Sequence, residues 1–167
     1  MTICVFSDTH GDSSGMERTV EYVKPEVVIH LGDFLKDASD IEHIHPGIQV
    51  VGVLGNCDSN RSGTYEKMLT LGGKKLLLIH GSSFGFSRRT AISAPTREII
   101  QYAKTRAADI LLFGHSHAPV LAFDNGLYIM NPGSASMDKQ ESKAPTFGII
   151  ELHEGGIACK ILSIEAL

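Results

Sequence analysis

Ser7-Asp8-Thr9-His10-Gly11 sets a carboxylate and an imidazole two residues apart, directly after the apolar run Ile3-Cys4-Val5-Phe6. In an extended segment such residues point the same way, which makes Asp8 and His10 the start of a site for a divalent transition metal. A polar loop of this composition is also common by chance, and one acid-x-His match decides nothing. The same event recurs, however. Further apolar runs end at Gly32-Asp33, at Gly55-Asn56-Cys57-Asp58, at His80-Gly81 and at Gly114-His115-Ser116-His117. The inventory is two carboxylates, one amide oxygen and four imidazoles: Asp8, Asp33, Asn56, His10, His80, His115 and His117. That is too many ligands for one tetrahedral zinc. It suits two cations about 3.5–4 Å apart, bridged by one carboxylate and one hydroxide.

The elements that must carry these residues follow from the pattern. Each apolar run reads as a buried strand. The stations at Asp8, Asp33, Asn56 and His80 lie about 24 residues apart, the length of a compact strand–helix unit. In an open α/β sheet ligands gather at the carboxyl ends of the strands, so residues remote in sequence should converge on one edge. Helices are expected over 11–24, with Asp12 or Ser13 as cap and Pro25 as stop, over 38–43, and over 95–107 with Pro95 near the first turn. Strands are expected over 27–31, 49–54 and 110–113, with a hairpin over 65–79 turning at Gly72-Gly73. Four further strands, 119–123, 127–130, 146–152 and 157–164, read as a β meander broken by Asp124-Asn125-Gly126 and Glu154-Gly155-Gly156. The whole predicts an α/β fold: a four-layer α-β-β-α sandwich of two mixed sheets flanked by helices.

The 167 residues predict a single domain spanning 1–167. A chain with 43% hydrophobic and 20% charged residues has the makings of an ordinary soluble core. The net charge of −4 argues against a groove for long nucleic acid but says nothing against one small phosphate ester. Cys4, Cys57 and Cys159 show no CxxC spacing, so no disulfide framework is expected and a reducing compartment fits. With no signal-peptide pattern and no apolar run near 20 residues, the expectation is a cytoplasmic protein that does not enter a membrane. Homo-oligomerisation is left open.

The ordered set Asp8-Thr9-His10, Gly32-Asp33, Gly55-Asn56-Cys57-Asp58, His80-Gly81 and Gly114-His115-Ser116-His117 resembles the calcineurin-like metallophosphoesterase superfamily. The short length, the Gly-Asn-Cys-Asp form and Asn131-Pro132-Gly133-Ser134 look like its small bacterial and archaeal phosphodiesterase branch, which is similar to the metal-pocket subunit of the retromer coat. The resemblance implies one metal held by Asp8, His10, Asp33 and His117. It implies a second held by Asp33, Asn56, His80 and His115, with Asp33 as the bridge. Two divalent transition-metal ions are expected, Mn²⁺ foremost, with Ni²⁺, Zn²⁺ or Fe as alternatives. The activity implied is hydrolysis of small phosphodiesters by a metal-activated hydroxide, with Asp33, Asn56 and His80 at the catalytic centre.

The departure from the family pattern is Cys57, where the wider family has a histidine suited to protonate the leaving oxygen. A thiol is a poor substitute, which puts general-acid catalysis in doubt and makes Asp58 or a substrate-loop residue the next suspect. Arg61, Arg88, Arg89 and Arg97 could grip a substrate phosphate or form a solvated basic face. Asn131 and Ser134 could line the pocket or simply form a turn. His30 reads as structural, and His43, His45 and His153 as surface residues. Competing readings are a non-catalytic protein-binding scaffold of the same fold, a phosphomonoesterase and a nuclease. The complete ligand set counts against the first, Cys57 against the second and the acidic balance against the third.

Overall fold

In the computed structural model, residues 1–59, 62–84, 95–136 and 144–167 are described. Two five-stranded mixed sheets stack face to face. The first takes β1 (Thr2–Phe6), β2 (Val27–His30), β3 (Gln49–Gly52), β9 (Thr146–His153) and β10 (Gly156–Ser163) in the order β10-β9-β1-β2-β3. The second takes β4 (Glu66–Leu71), β5 (Lys74–Ile79), β6 (Ile110–Phe113), β7 (Val120–Asp124) and β8 (Leu127–Asn131) in the order β4-β5-β6-β8-β7.

Strand periodicity builds the layers. On β1, Ile3 and Val5 face the second sheet and meet Leu76, Leu78, Ile110 and Leu112 in the central core. The alternate residues Cys4 and Phe6 face outward onto Met16 and Val20 of α1 (Ser14–Val23) and Ile41 of α2 (Lys36–Ile44). On the other side Leu77 and Ile79 pack against Ile99 and Ala103 of α3 (Arg97–Thr105). Strands apolar on both faces are what a doubly covered sheet requires. The four-layer sandwich read from the sequence is the fold.

The differences are local, with one exception. Helix α1 begins at Ser14 rather than at residue 11, because His10 (φ 53°) and Gly11 (φ 90°) are left-handed and break any helix there. Asp12 Oδ1 accepts from the Ser14 amide, whereas the Ser13 hydroxyl donates to Glu17. Helix α3 starts at Arg97, capped by Thr96 Oγ1, so Pro95 precedes the cap. Gly72 and Gly73 turn the β4–β5 hairpin with φ of 52° and 75°, as a primed turn needs.

The exception is the tail. It is not a meander. β8 runs parallel to β6, while β9 crosses to the first sheet and pairs antiparallel with β1. The turn signals located both hairpins, but a turn carries no information about which sheet receives the hairpin. Cys4, Cys57 and Cys159 form no disulfide, and among the described residues no helix is long and apolar enough to cross a membrane.

His30 closes β2 fully buried. Its Nδ1 accepts from the Gly32 amide at 3.3 Å, and its Nε2 lies 3.1 Å from Thr9 Oγ1. A ring that accepts at one nitrogen and donates at the other is neutral, and burial pulls its pKa down to about 4 against the attraction of Asp8, Asp37 and Asp58. Between the ordinary value of 6.5 and about 4, the unfolded chain binds a proton that the folded chain does not. Stability therefore falls as pH drops through that window. In chelator-treated protein, urea midpoints at pH 7 and pH 5 should show the parent losing about 2 kcal/mol more than His30→Gln.

Candidate metal centre

Five strands deliver the motif residues to one edge of the sandwich. Asp8 and His10 follow β1, Asp33 follows β2, Asn56 follows β3, His80 follows β5, and His115 and His117 follow β6. The edge is laced across the two sheets, as His115 N donates to Asp8 Oδ2 at 3.0 Å and Ala135 N to the Ser7 carbonyl at 3.0 Å, and within the second sheet Gly114 N donates to the His80 carbonyl at 2.9 Å. Gly114 allows the closeness, since a Cβ there would stand 2.0 Å from Ser7 Oγ.

Two donor sets result. In the first, His117 Nε2 lies 3.2 Å from Asp8 Oδ1 and 3.1 Å from His10 Nε2, and His10 Nε2 lies 3.8 Å from Asp33 Oδ2. In the second, His80 Nε2 lies 3.1 Å from Asn56 Oδ1, 3.2 Å from His115 Nδ1 and 3.4 Å from Asp33 Oδ1. Two of the groups able to hold a metal ion are thus Asp8 with His10 and His117, and Asp33 with His80 and His115. A third, His10 with Asp33 and Cys57, brings the exposed thiol to the rim.

The carboxylates decide what the sets can do. Asp8 and Asp33 are fully buried, and among the described residues Asp8 Oδ1 and Asp33 Oδ2 have no hydrogen-bond donor. Buried anionic oxygens without donors are costly unless a cation answers them. Each carboxylate is also gripped by its other oxygen. Asp8 Oδ2 accepts from Ser7 Oγ and the His115 amide, and Asp33 Oδ1 accepts from the Cys57 amide at 2.7 Å. Burial works to raise the Asp8 pKa, but His117, His80 and the Ser7 hydroxyl outweigh it and hold the carboxyl at about 2. His80 is oriented from behind. Its Nδ1 donates to the Leu31 carbonyl at 2.7 Å, which leaves Nε2 as the lone-pair nitrogen facing the site. The donor chemistry, imidazole nitrogens with carboxylate and amide oxygens, fits divalent transition metals.

The chain matches the calcineurin-like phosphoesterase superfamily domain over residues 1–155. It belongs to the calcineurin-like phosphoesterase superfamily. It is 31% identical to the probable metallophosphoesterase YsnB of Bacillus subtilis over 142 residues, 83% of this chain and 78% of the relative. It is 26% identical to the phosphodiesterase YfcE of Escherichia coli K12, covering 90% of this chain and 88% of that one. A Streptococcus pneumoniae crystal structure described as a predicted phosphoesterase superposes with a TM-score of 0.77 at 25% identity, over 98% of this chain and 90% of the other. For a calcineurin-like phosphoesterase the two-set edge is the expected place for divalent metal.

Other candidates fall elsewhere. Arg61, Arg88 and Arg89 lie outside the described residues, and Arg97 is exposed at the start of α3. Asn131 and Ser134 are fully buried and support the site from behind rather than lining its open face. Asn131 Nδ2 donates to the Gly114 carbonyl and to Ser116 Oγ, its Oδ1 accepts from Gly133 N, and Ser134 Oγ donates to the Asp8 carbonyl. His43 and His153 are exposed, while His45 is half-buried.

Asp58 has a structural role that its motif position signalled without disclosing. Its carboxylate accepts from the amides of Asp33 (3.1 Å), Leu35 (2.7 Å) and Gly55 (2.7 Å). An oxygen pair so occupied is a poor proton donor, which removes Asp58 as the substitute general acid. It acts instead as a clamp on two consecutive left-handed residues, Asp33 (φ 59°) and Phe34 (φ 72°). Such backbone costs about 1–3 kcal/mol per residue and persists only when its surroundings impose it. Asp58→Ala should lower unfolding stability by about 2–4 kcal/mol and weaken metal binding about 10–100-fold, measured by urea denaturation and by calorimetric metal titration.

Proposed function

We propose that this chain is a two-metal phosphodiesterase that hydrolyses small phosphodiesters in the cytoplasm. The observation that carries the reading is Asp33: one buried carboxylate whose Oδ1 faces His80 and whose Oδ2 faces His10, and which stands between both donor sets. Asp8, His10, Asp33 and His117 would hold one cation, and Asp33, Asn56, His80 and His115 the other. A cation pair held there would supply a deprotonated water as nucleophile and positive charge against the phosphoryl oxygens. The protein's part is to fix the ligands before substrate arrives, through the Asp58 clamp, the His80–Leu31 hydrogen bond and the buried Asn131 and Ser134 contacts. Mn²⁺ is the cation we assign, with Ni²⁺, Zn²⁺ and Fe as rivals in the same mixed nitrogen–oxygen set. YfcE, named a phosphodiesterase, supports the diester as substrate class. The net charge of −4 favours a small substrate over a long polyanion.

Metal-stripped protein should be inactive and regain diesterase activity with Mn²⁺. Asp33→Asn should lose more metal and more turnover than His10→Ala or His117→Ala, because it serves both sets. Full activity without metal, or an Asp33→Asn protein with two metals and normal turnover, would overturn the mechanism.

Cys57 shapes the leaving-group chemistry. It is exposed at the rim, where Asn56 Nδ2 donates to its sulfur at 3.3 Å. A thiol shares charge poorly with a departing alkoxide, so kcat/KM should rise steeply with leaving-group acidity across a series of phenyl diesters. Cys57→His should flatten that slope, with gains of up to about 10²-fold for the poorest leaving groups. A parent rate that barely varies along the series would mean that another group supplies the proton.

A further inference from the structure

Phe34 is an anomaly at the edge of the metal centre. It is 40% exposed, belongs to none of the three apolar cores, and holds φ at 72°, a conformation that bulky residues avoid. A lone exposed phenylalanine needs no explanation, but one held in strain beside a site does. The strain is imposed from both sides. Asp58 takes the amides of Asp33 and Leu35, and the Phe34 carbonyl accepts from the Asp37 amide at 2.9 Å. Asp37 in turn accepts from the Gly11 amide at 3.0 Å, which ties this turn to the His10 loop.

The ring's position is equally defined. Its centroid lies 5.9 Å from that of His10, tilted by 58°. One edge rests against Gly11, where a Cβ would meet Cε1 at 3.4 Å and Cδ1 at 3.5 Å. Phe34 therefore stands directly after the carboxylate shared by both donor sets and beside the imidazole of one of them. It contributes apolar area at the rim and none to the core.

Resting on the diesterase reading, we infer that Phe34 is the platform against which the aromatic group of a bound phosphate ester stacks. The substrate class is a phosphodiester carrying an aryl or heteroaryl ring, and Phe34 sets specificity rather than chemistry. A flat, rigid, pre-positioned ring gains offset-stacking contact with little loss of side-chain freedom, and contributes about 3–10-fold in affinity for an aromatic over an aliphatic ester.

The test uses non-hydrolysable probes on Mn²⁺-loaded protein, so it does not depend on turnover. Calorimetry should show 4-nitrophenylphosphonate binding about 3–10-fold tighter than methylphosphonate. Phe34→Leu should bring the two together while leaving methylphosphonate and metal affinity unchanged. Phe34→Trp should keep the preference. The chain has no other tryptophan, so its fluorescence should quench on adding the nitrophenyl probe but not methylphosphonate. The non-hydrolysable phosphonate analogue of adenosine 5′-monophosphate forms a further arm. A Phe34-dependent gain for it marks a nucleobase as the stacked ring, and a gain for the nitrophenyl probe alone marks an aryl ester. A preference untouched by Phe34→Leu, or unquenched fluorescence with probe bound, overturns the platform while the diesterase reading stands. Failure of methylphosphonate and the nitrophenyl probe alike to bind the metal-loaded parent overturns the platform, whereas absence of Mn²⁺-dependent diesterase activity is what overturns the diesterase reading.

Discussion

Two carboxylates buried at the seam between the sheets govern this structure. Water is denied to Asp8 and Asp33, and an ionised carboxylate in such a place must be answered by hydrogen-bond donors and positive charge. The surrounding features act on that demand. Backbone amides and the Ser7 hydroxyl satisfy one oxygen of each acid, and histidines stand before the others. Sharp left-handed turns at Asp8, His10, Asp33, His115 and His117 place ligands on both sides of the seam. The sandwich holds them there because its central core, shared by both sheets, fixes the distance between the strand ends.

Much of this was legible in the sequence because strand periodicity and polar punctuation are local signals. The runs ending at Asp8, Asp33, Asn56, His80 and His115 mark both the strands and the edge where they converge. Apolar runs of four or five residues without alternation marked strands buried on both faces, and hence the layers. His30 read as structural, and it is buried with both ring nitrogens accounted for.

What was not legible depends on contacts without a local signature. Asp58 is one more polar residue in a loop until its three amide partners, 3 to 25 residues away, are known. Asn131 and Ser134 belong to a turn-like stretch, yet their side chains are spent on Gly114 and Asp8, up to 126 residues away. Phe34 looks like an ordinary apolar residue after the Gly32-Asp33 station, and only its φ and exposure reveal otherwise. The tail failed as a meander for the same reason, since pairing partners are chosen by available sheet edges and not by turns.

The route taken by β9 also sets an order of events. β1 carries Asp8, and one of its flanks is filled by β2 while the other waits for β9, where Thr2 meets Glu151 and Val5 meets Gly148. During synthesis that flank stays an open, apolar strand edge until the residues of β9 have left the ribosome. Ser134 and Ala135, which secure the Asp8 loop from behind, arrive barely earlier. Pairings of such sequence separation close slowly. The nascent chain therefore spends its time in synthesis with an edge beside Asp8 that invites chaperones or wrong partners.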